Sequence, residues 1–559
     1  MKQLLLILVI FISSMNLLMS NDDDIFINRC GNIFYTDKKE KLQKIYIDYD
    51  SIGRPKMQKY FPSKSGRFLI HYNTSGKDSV NLTDKDKNGI PDFVDSAAYY
   101  FDYAFQVEVE EIGYLPHFTD QSRGGSDALD VYLMDLGNGS QNEVAYGFTI
   151  EDGEIFPRKK FSRYFTYIVI DNNFSPNDSI ILSDGRKTPT YKEKEYQALK
   201  ITAAHEFHHS IQAAYGVDRA TPSMNELTST YMEYRVHPNT TDYEQFVRSL
   251  FRDPSRYVFG IGSQYENGYR WSIFGQYMHS KYGDWAMKRM WENIGEGFGA
   301  YQALDRTFSE KGSSLVKEWC EFLPWLYYTG SRAIPDQYFR HADRFPEVNF
   351  YLENTFSPPS FNHSNTLKPF EFRFFRCTFN HDDLNSENDI IQTADTVDFI
   401  ITNTDLEAAT KQITNRTQPY SLIVSDKQLA NLTPIENSEY YFKYDTPQNM
   451  GCYNYYFNKG FNTTLIATAF PSPFLPKQDQ YINIPVPANA FLNEEVELFI
   501  FDTDFNQIYY SRKPVVVNYS KRVLQWSELP NDITSGIYLF KTRHKDKEQW
   551  GKFSIIINE

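Results

Sequence analysis

One stretch of the sequence combines residue types and spacing that could hold a metal ion. Residues 201–212 read ITAAHEFHHSIQ and contain the HExxH pattern at His205, Glu206 and His209. On a helix, residues four apart share a face, so the two imidazoles can bind one zinc ion, while His208 points away. Glu206 can take a proton from a water activated by that ion and pass it to a leaving amine. An ordinary helix with two histidines and no metal is the alternative.

The third protein ligand must come from outside this stretch, because a catalytic zinc ion needs three ligands and an open position for water. Gln212 and Tyr215 occupy the positions where the metzincin pattern has a glycine and a histidine, so that class is excluded. A second helix-compatible stretch, from Asn225 onward, places Glu226 and Glu233 on one face. The sequence therefore offers two carboxylates for the third ligand.

Together the two stretches resemble the gluzincins, the thermolysin-like clan, in which HExxH is followed by a second helix with an NExxxD motif. Asn225 and Glu226 match the NE pair, so the resemblance implies that Glu226 is the third zinc ligand. Thr230 stands where the family has an aspartate that orients a zinc histidine, and Glu233, one turn further, could take that role. The resemblance implies a zinc metallopeptidase.

A second candidate metal site lies upstream in an acidic loop. Residues 84–95 read DKDKNGIPDFVD and place oxygen side chains at positions 1, 3, 5, 9 and 12, with glycine at 6. An EF-hand-like loop wraps calcium in this way and uses the backbone carbonyl of position 7. The predicted ligands are Asp84, Asp86, Asn88, Ile90, Asp92 and Asp95. A solvated turn without metal is the alternative, since Pro91 and Asp95 depart from the usual residues at positions 8 and 12.

The end of the chain has strand patterning and a recognisable ending. From Phe470 the sequence alternates as in a small β-sandwich. The opening FPSPFLP and the ending SGIY…GKF resemble the C-terminal sorting domain of type IX secretion substrates, although the turn at Asp502 to Asn506 lacks the usual glycine. The resemblance implies export to the cell surface or medium, with the secretion machinery as partner. A plain immunoglobulin-like accessory domain is the alternative.

The elements around the HExxH stretch follow from apolar periodicity. Strands are predicted at Arg67–Tyr72, Leu129–Leu136 and Tyr164–Asp171, and a helix at Phe93–Ile112. The HExxH helix is predicted from Tyr196 to Tyr215, ending at Gly216, followed by a mostly helical stretch from Asn225 to Ala333. Beyond Phe345 short alternating runs mark a domain boundary.

These patterns predict a multidomain chain: an α+β zinc-metallopeptidase domain followed by two all-β modules of the immunoglobulin-like sandwich type. The predicted units are a signal peptide at 1–20, an N-terminal extension at 21–63 and a catalytic domain with the calcium loop at 64–345. A β-rich domain at 346–465 and a sorting domain at 466–559 follow. An uncleaved membrane anchor is the alternative to the signal peptide, and no later segment is predicted to span a membrane.

Composition sets outer limits on function. The chain has 559 residues with a net charge of −15, which suits a soluble exported protein and disfavours nucleic acid as a partner. Its four cysteines could form two disulfides, with Cys377–Cys452 the preferred pair, or remain buried thiols.

The expected function is a secreted zinc-dependent endopeptidase that acts on a protein or peptide substrate, with Glu206 as general base. Two alternatives stay open: a cell-surface binding protein or adhesin with a vestigial peptidase scaffold, and a zinc hydrolase acting on another bond. Tyr265, Tyr269 and Arg270 are candidates to stabilise the transition state, although their aromatic stretch also fits an ordinary helix core.

Overall fold

The structure is a computed structural model. It describes residues 53–557 apart from 141–143, 158, 183–184, 265, 335–336, 357–359, 384–390, 426–432, 435–440, 446–452, 459–466, 478, 488–489, 491, 504, 519–520, 531–532 and 546. The predicted signal peptide and the residues Cys30, Tyr265 and Cys452 lie outside the described residues.

A mixed five-stranded sheet lies at the centre of the N-terminal half. The strands of this half are β1 (Lys59–Pro62), β2 (Phe68–Tyr72), β3 (Leu129–Met134), β4 (Gly139–Ser140), β5 (Gly147–Glu154), β6 (Tyr164–Asp171), β7 (Ser179–Ile181) and β8 (Lys187–Pro189). The order is β1-β2-β3-β6-β5, and β4, β7 and β8 form a small separate sheet. Strands β2, β3 and β6 are parallel, whereas β1 and β5 pair antiparallel at the two edges.

Eight helices accompany this sheet in the described chain up to Tyr327. They are α1 (Asp92–Phe105), α2 (Glu195–Tyr215), α3 (Pro222–Val236), α4 (Glu244–Arg252), α5 (Glu266–Tyr282), α6 (Asp284–Gly295), α7 (Ala300–Ser309) and α8 (Leu315–Tyr327). Helix α2 is the predicted HExxH helix and is buried on every side from Ala198 onward. It packs against α1, α3, β5 and β6, as expected for a core helix without a polar face. Gly216 ends α2 at a φ of 139°, a conformation that L side chains rarely adopt.

The predicted helix Phe93–Ile112 is divided in the structure. Helix α1 covers its first part, and a π-helix follows at Gln106–Glu111. The apolar residues of α1 face the sheet, as their spacing predicts. The wider turn of a π-helix changes the direction of its side chains. In this case the carboxylate of Glu108 is fully buried against α2.

A buried arginine, Arg54, anchors the chain segment that leads into β1. Arg54 is 0% exposed, and its guanidinium lies 2.6 Å from Asp120 and 2.9 Å from Asp152, with a further contact to Asp130. Asp120 lies in a loop, Asp152 on β5 and Asp130 on β3, so one cation connects two strands of the sheet and a loop. Their charges raise the pKa of Arg54 despite the opposing effect of its burial.

The next region is rich in strands and shares its core with the helices. Its elements are β9 (Leu352–Phe356), β10 (Ser360–Leu367), β11 (Phe372–Asp383), β12 (Ile391–Thr402), α9 (Leu406–Thr410), β13 (Gln418–Ser425), β14 (Thr433–Pro434), β15 (Tyr441–Asp445) and β16 (Tyr453–Asn458). They form two sheets, ordered β16-β12-β11-β9 and β10-β13-β15-β14. Phe370, Phe372 and Ile400 belong to the same apolar cluster as α2 and α8. The indole of Trp319 on α8 donates a 2.9 Å hydrogen bond to Thr402.

The C-terminal region has a core of its own. Its strands are β17 (Ala467–Thr468), β18 (Ile482–Pro485), β19 (Glu495–Phe501), β20 (Gln507–Pro514), β21 (Val516–Asn518), β22 (Lys521–Trp526), β23 (Gly536–His544) and β24 (Lys547–Ile555). A five-stranded sheet, β17-β24-β23-β19-β20, and a three-stranded sheet, β18-β22-β21, enclose a cluster that includes Leu498, Trp526 and Phe540. The residues of this cluster all come from 469–557.

Two further predictions concern a disulfide bridge and membrane-spanning segments. Cys377 is a buried free thiol on β11, opposite Val397 of β12, so the predicted Cys377–Cys452 bridge is not formed. A thiol in this setting packs as a small apolar side chain. Among the described residues, no helix is both long and apolar enough to cross a membrane.

Candidate metal centre

The HExxH helix and the following helix bring three ligand atoms together. His205 and His209 project from one face of α2, and their Nε2 atoms are 3.1 Å apart. The Oε2 atom of Glu226, on the first turns of α3, lies 3.3 Å from Nε2 of His205 and 3.6 Å from Nε2 of His209. All three ligand atoms fall within 4.8 Å of one another. Two histidines and one carboxylate are a donor set that zinc uses in catalytic sites.

The carboxylate of Glu226 fits a metal ion. It is 0% exposed, and in the described chain neither of its oxygens accepts a hydrogen bond. A buried carboxylate without donors is costly unless a cation neutralises it. Burial raises the pKa of Glu226, but His209 and His205 outweigh it and lower the pKa to about 2. The group is therefore held as an anion facing two imidazole nitrogens, which is the environment a divalent cation requires.

Each histidine is held by a hydrogen bond at its other ring nitrogen. Nδ1 of His205 lies 2.8 Å from Oε1 of Glu233, two turns along α3. Nδ1 of His209 lies 2.8 Å from Oε1 of Gln212. With a proton on Nδ1, each ring presents the lone pair of Nε2 to the same point. Burial lowers the pKa of His205, but the neighbouring carboxylates of Glu226 and Glu233 raise it to about 10, so a metal ion would take the place of a proton on Nε2.

Glu206 lies beside the ligands and contacts the sheet. Its Oε2 and its backbone carbonyl oxygen each lie 2.8 Å from the hydroxyl of Thr149 on β5, which donates its one proton to this pair. Burial raises the pKa of Glu206, and the two histidines and Thr149 oppose that shift. Gly147 of β5 packs so close that a Cβ atom there would lie 3.0 Å from Cγ of Glu206. The edge strand therefore fixes one side of this carboxylate.

The described residues pack closely around the centre. A cavity of about 10 Å³ is lined by Tyr146, Thr202, His205, Glu206 and Glu233. That volume is roughly the space for one water molecule. Glu206 is 1% exposed, so the described residues leave little room for an extended substrate beside it.

Other residues singled out by the sequence lie at different distances from the centre. His208 faces away from the ligands, as predicted, and its Nδ1 lies 2.7 Å from Glu108. Burial lowers the pKa of His208 and raises the pKa of Glu108, which favours a neutral pair. The ring of Tyr269 stacks on His205 with centroids 6.1 Å apart. Arg270 instead donates to Ser249 and to the carbonyl oxygen of Glu266, away from the ligands.

Sequence reasoning missed two contacts of the centre. Gln212 could have been found, because it follows His209 by three residues and therefore lies on the same helix face. Thr149 had no local signal, because its contact with Glu206 depends on how β5 crosses α2.

The acidic loop brings three of its predicted calcium ligands together. Carboxylate oxygens of Asp84, Asp86 and Asp92 lie within 4.8 Å of one another. Asp84 also accepts hydrogen bonds from the backbone of Asn88 and Gly89, and Gly89 has a φ of 88°. Burial raises the pKa of Asp84, but the hydrogen bonds from Gly89 and Asn88, together with Asp86, outweigh it and lower the pKa.

Two other predicted ligands, Asn88 and Asp95, make contacts within the loop. The side-chain nitrogen of Asn88 donates to Asp95 at 2.9 Å, and the side-chain oxygen of Asn88 accepts from the backbone nitrogen of Ile90 at 2.7 Å. The loop therefore has an EF-hand-like turn that its own amides close.

Comparison with known proteins adds no further constraint. No protein-family model, no curated protein and no solved structure matches this chain. The geometry of the His205, His209 and Glu226 cluster is thus the basis for assigning a function.

Proposed function

We propose that this protein is a secreted zinc-dependent endopeptidase. One observation carries the proposal: three ligand atoms from α2 and α3 converge within 4.8 Å, and the oxygens of Glu226 are buried without a hydrogen-bond donor. The HExxH pattern adds a second carboxylate, Glu206, which a purely structural zinc site does not need.

The residues divide into ligands, a proton carrier and supports. His205, His209 and Glu226 would hold the zinc ion, which supplies Lewis acidity toward a water molecule and a carbonyl oxygen. Glu206 would accept a proton from the attacking water and deliver it to the leaving nitrogen. Thr149 restrains one oxygen of Glu206 through a 2.8 Å contact, which would help hold the carboxylate in place for that transfer.

Strand β5 supports a peptide as the substrate. It is an edge strand that begins directly against Glu206 and runs antiparallel to β6. An extended peptide can add to such an edge through backbone hydrogen bonds, which would bring its carbonyl groups toward Glu206. Because the described residues leave little room beside Glu206, substrate binding would require an opening motion next to β5.

The test is hydrolysis of casein or a quenched peptide by the purified full chain. Zinc-loaded protein should cleave, chelated protein should not, and added zinc should restore cleavage. Glu206→Gln should keep its zinc but lose at least about a hundredfold in rate, because a general base contributes that much. Normal turnover by Glu206→Gln, with zinc content confirmed by metal analysis, would contradict the assigned role.

A cell-surface binding protein with a vestigial peptidase scaffold is the second candidate. The close packing around the centre favours it, because the described residues leave a cavity of only about 10 Å³ next to Glu206. On this alternative zinc would raise the melting temperature of the protein, and neither wild type nor Glu206→Gln would cleave any peptide. The two candidates therefore give opposite results in the same assay.

Secretion and sorting are part of the same proposal. They rest on the resemblance of the ending SGIY…GKF to type IX sorting domains and on the apolar start of the chain. The strands β23 and β24 that carry this ending pair with each other in the separate C-terminal core. A calcium ion in the acidic loop is proposed as a structural cofactor.

A further inference from the structure

Gln212 connects the helix that carries the histidines to the helix that carries Glu226. It lies on α2 and is 1% exposed. Its Oε1 is 2.8 Å from Nδ1 of His209. Its Nε2 is 2.9 Å from the carbonyl oxygen of Asn225, the residue before Glu226. One carboxamide therefore contacts a proposed ligand on one helix and the backbone next to a proposed ligand on the other.

Further contacts fix which way this carboxamide points. Nε2 also lies 2.9 Å from the hydroxyl of Thr228 and 3.0 Å from that of Ser229. The carbonyl oxygen of Asn225 can only accept, so the NH₂ group must face α3 and Oε1 must face His209. His209 then carries its proton on Nδ1 and offers the lone pair of Nε2 toward Glu226.

We propose that Gln212 is the positioning residue of the metal centre: it sets the ring of His209 and the register of Glu226 against that ring at the same time. The inference rests on the proposed function in taking zinc as the metal. This role requires a carboxamide, because one atom must accept from His209 and the other must donate to the carbonyl oxygen of Asn225. A glutamate at this position could still accept from His209 but would replace the hydrogen bond to the carbonyl oxygen of Asn225 with two acceptors facing each other, which is costly when buried.

The variant Gln212→Glu tests this role, with Gln197→Glu as its matched control. Gln197 lies on the exposed side of α2 and undergoes the same charge change. Zinc affinity is measured by competition with a chromophoric chelator, and site geometry by the visible absorption of the cobalt-loaded protein. Gln212→Glu should lose roughly ten- to a hundredfold in zinc affinity and alter the cobalt spectrum. Gln197→Glu should match wild type in both.

A second variant provides a test in case Gln212→Glu does not fold. Thr228→Val removes a neighbour of the Gln212 amide and leaves the contacts of Gln212 with His209 and Asn225 in place. It should shift zinc affinity in the same direction by a smaller factor. Circular dichroism of the metal-free proteins verifies that each variant is folded.

The outcomes separate this inference from the proposed function. Unchanged zinc affinity and cobalt spectrum in folded Gln212→Glu overturn the role of Gln212. Wild-type protein that binds zinc tightly but cleaves no peptide overturns the peptidase proposal and leaves Gln212 as a positioning residue. Wild-type protein that takes up no zinc or cobalt overturns both.

Discussion

The imidazole of His205 contacts two carboxylates of one helix. Glu226 approaches Nε2 at 3.3 Å and Glu233 approaches Nδ1 at 2.8 Å. Two turns of helix separate these residues by about 10 Å, so they cannot exchange roles without moving the backbone. Thr230, where the gluzincin pattern has an aspartate, is buried, and its hydroxyl makes no hydrogen bond in the described chain. The orienting contact to His205 comes from Glu233 instead.

This geometry predicts different effects for the two glutamates. Glu226→Ala should lose nearly all bound zinc, because it removes the third ligand. Glu233→Ala should weaken zinc affinity by roughly ten- to a hundredfold, because His205 keeps its Nε2 but loses the group that orients it. Metal analysis after dialysis, with equilibrium titration for Glu233→Ala, distinguishes them. Full zinc in the Glu226 variant and none in the Glu233 variant would require the ligand to be moved to Glu233.

Some residues of the metal centre could be predicted from the sequence, and others could not. His205, Glu206 and His209 lie within one helical turn, so a local pattern predicts their common placement. Glu226 required a second helix and a resemblance to choose it over Glu233. The contact of Thr149 with Glu206 joins residues from a strand and a helix. No periodicity encodes that contact, because it depends on tertiary packing.

At the level of elements, the acidic loop leads directly into α1. Asp92, one of its three convergent carboxylates, is the first residue of that helix. A cation bound by the loop would therefore stabilise the start of a helix that packs on the central sheet. It would also replace the amide contacts that Asn88 makes within the loop.

Calcium should raise the melting temperature, because an ion that binds only the folded state stabilises it. At one hundred times the dissociation constant the gain is about 2.7 kcal/mol. The measurement is thermal unfolding of chelated protein across a calcium titration. Asp84→Asn should abolish the response, whereas Asp127→Asn, an exposed aspartate of another loop, should retain it. A melting temperature that calcium leaves unchanged in wild type would remove this site.

Long periodic elements were predictable, whereas β5 was not. The HExxH helix, predicted from Tyr196 to Tyr215, spans Glu195–Tyr215, and the strand Tyr164–Asp171 has the predicted bounds. Strand β5 contains two glycines and acidic residues, which indicate a turn when read locally. Its pairing with β6, including an irregularity between Glu151 and Gly153, holds it extended. The π-helix after α1 likewise has no periodic signal of its own.

At the scale of the whole molecule, the point where helices give way to strands is not a boundary between two hydrophobic cores. The pattern shift near Phe345 coincides with the change from helices to strands, but Phe370 and Phe372 pack in the same cluster as Trp319 of α8. The hydroxyl of Tyr327 on α8 also donates to Asp398 of β12. The C-terminal region, by contrast, has an apolar cluster whose described residues all come from 469–557.

Two truncations of the full chain should therefore behave differently. Removal of Phe470–Glu559 takes away a region with its own core, so the remaining protein should keep its zinc, its peptidase activity and its cooperative unfolding. Removal of everything after Phe345 should destabilise the remainder by several kcal/mol. Loss of a buried aromatic ring costs about 3–5 kcal/mol, and Trp319 would lose Phe370 and Phe372 as neighbours.

Thermal unfolding, zinc content and peptide cleavage are measured for both truncated proteins, together with the fraction of each that is found outside the cell. The shorter deletion should also abolish export if the C-terminal region is a sorting domain. If a protein ending at Phe345 unfolds at the wild-type temperature, the helices and the strands of residues 346–465 have separate cores. Normal export of the protein without Phe470–Glu559 would refute the sorting role.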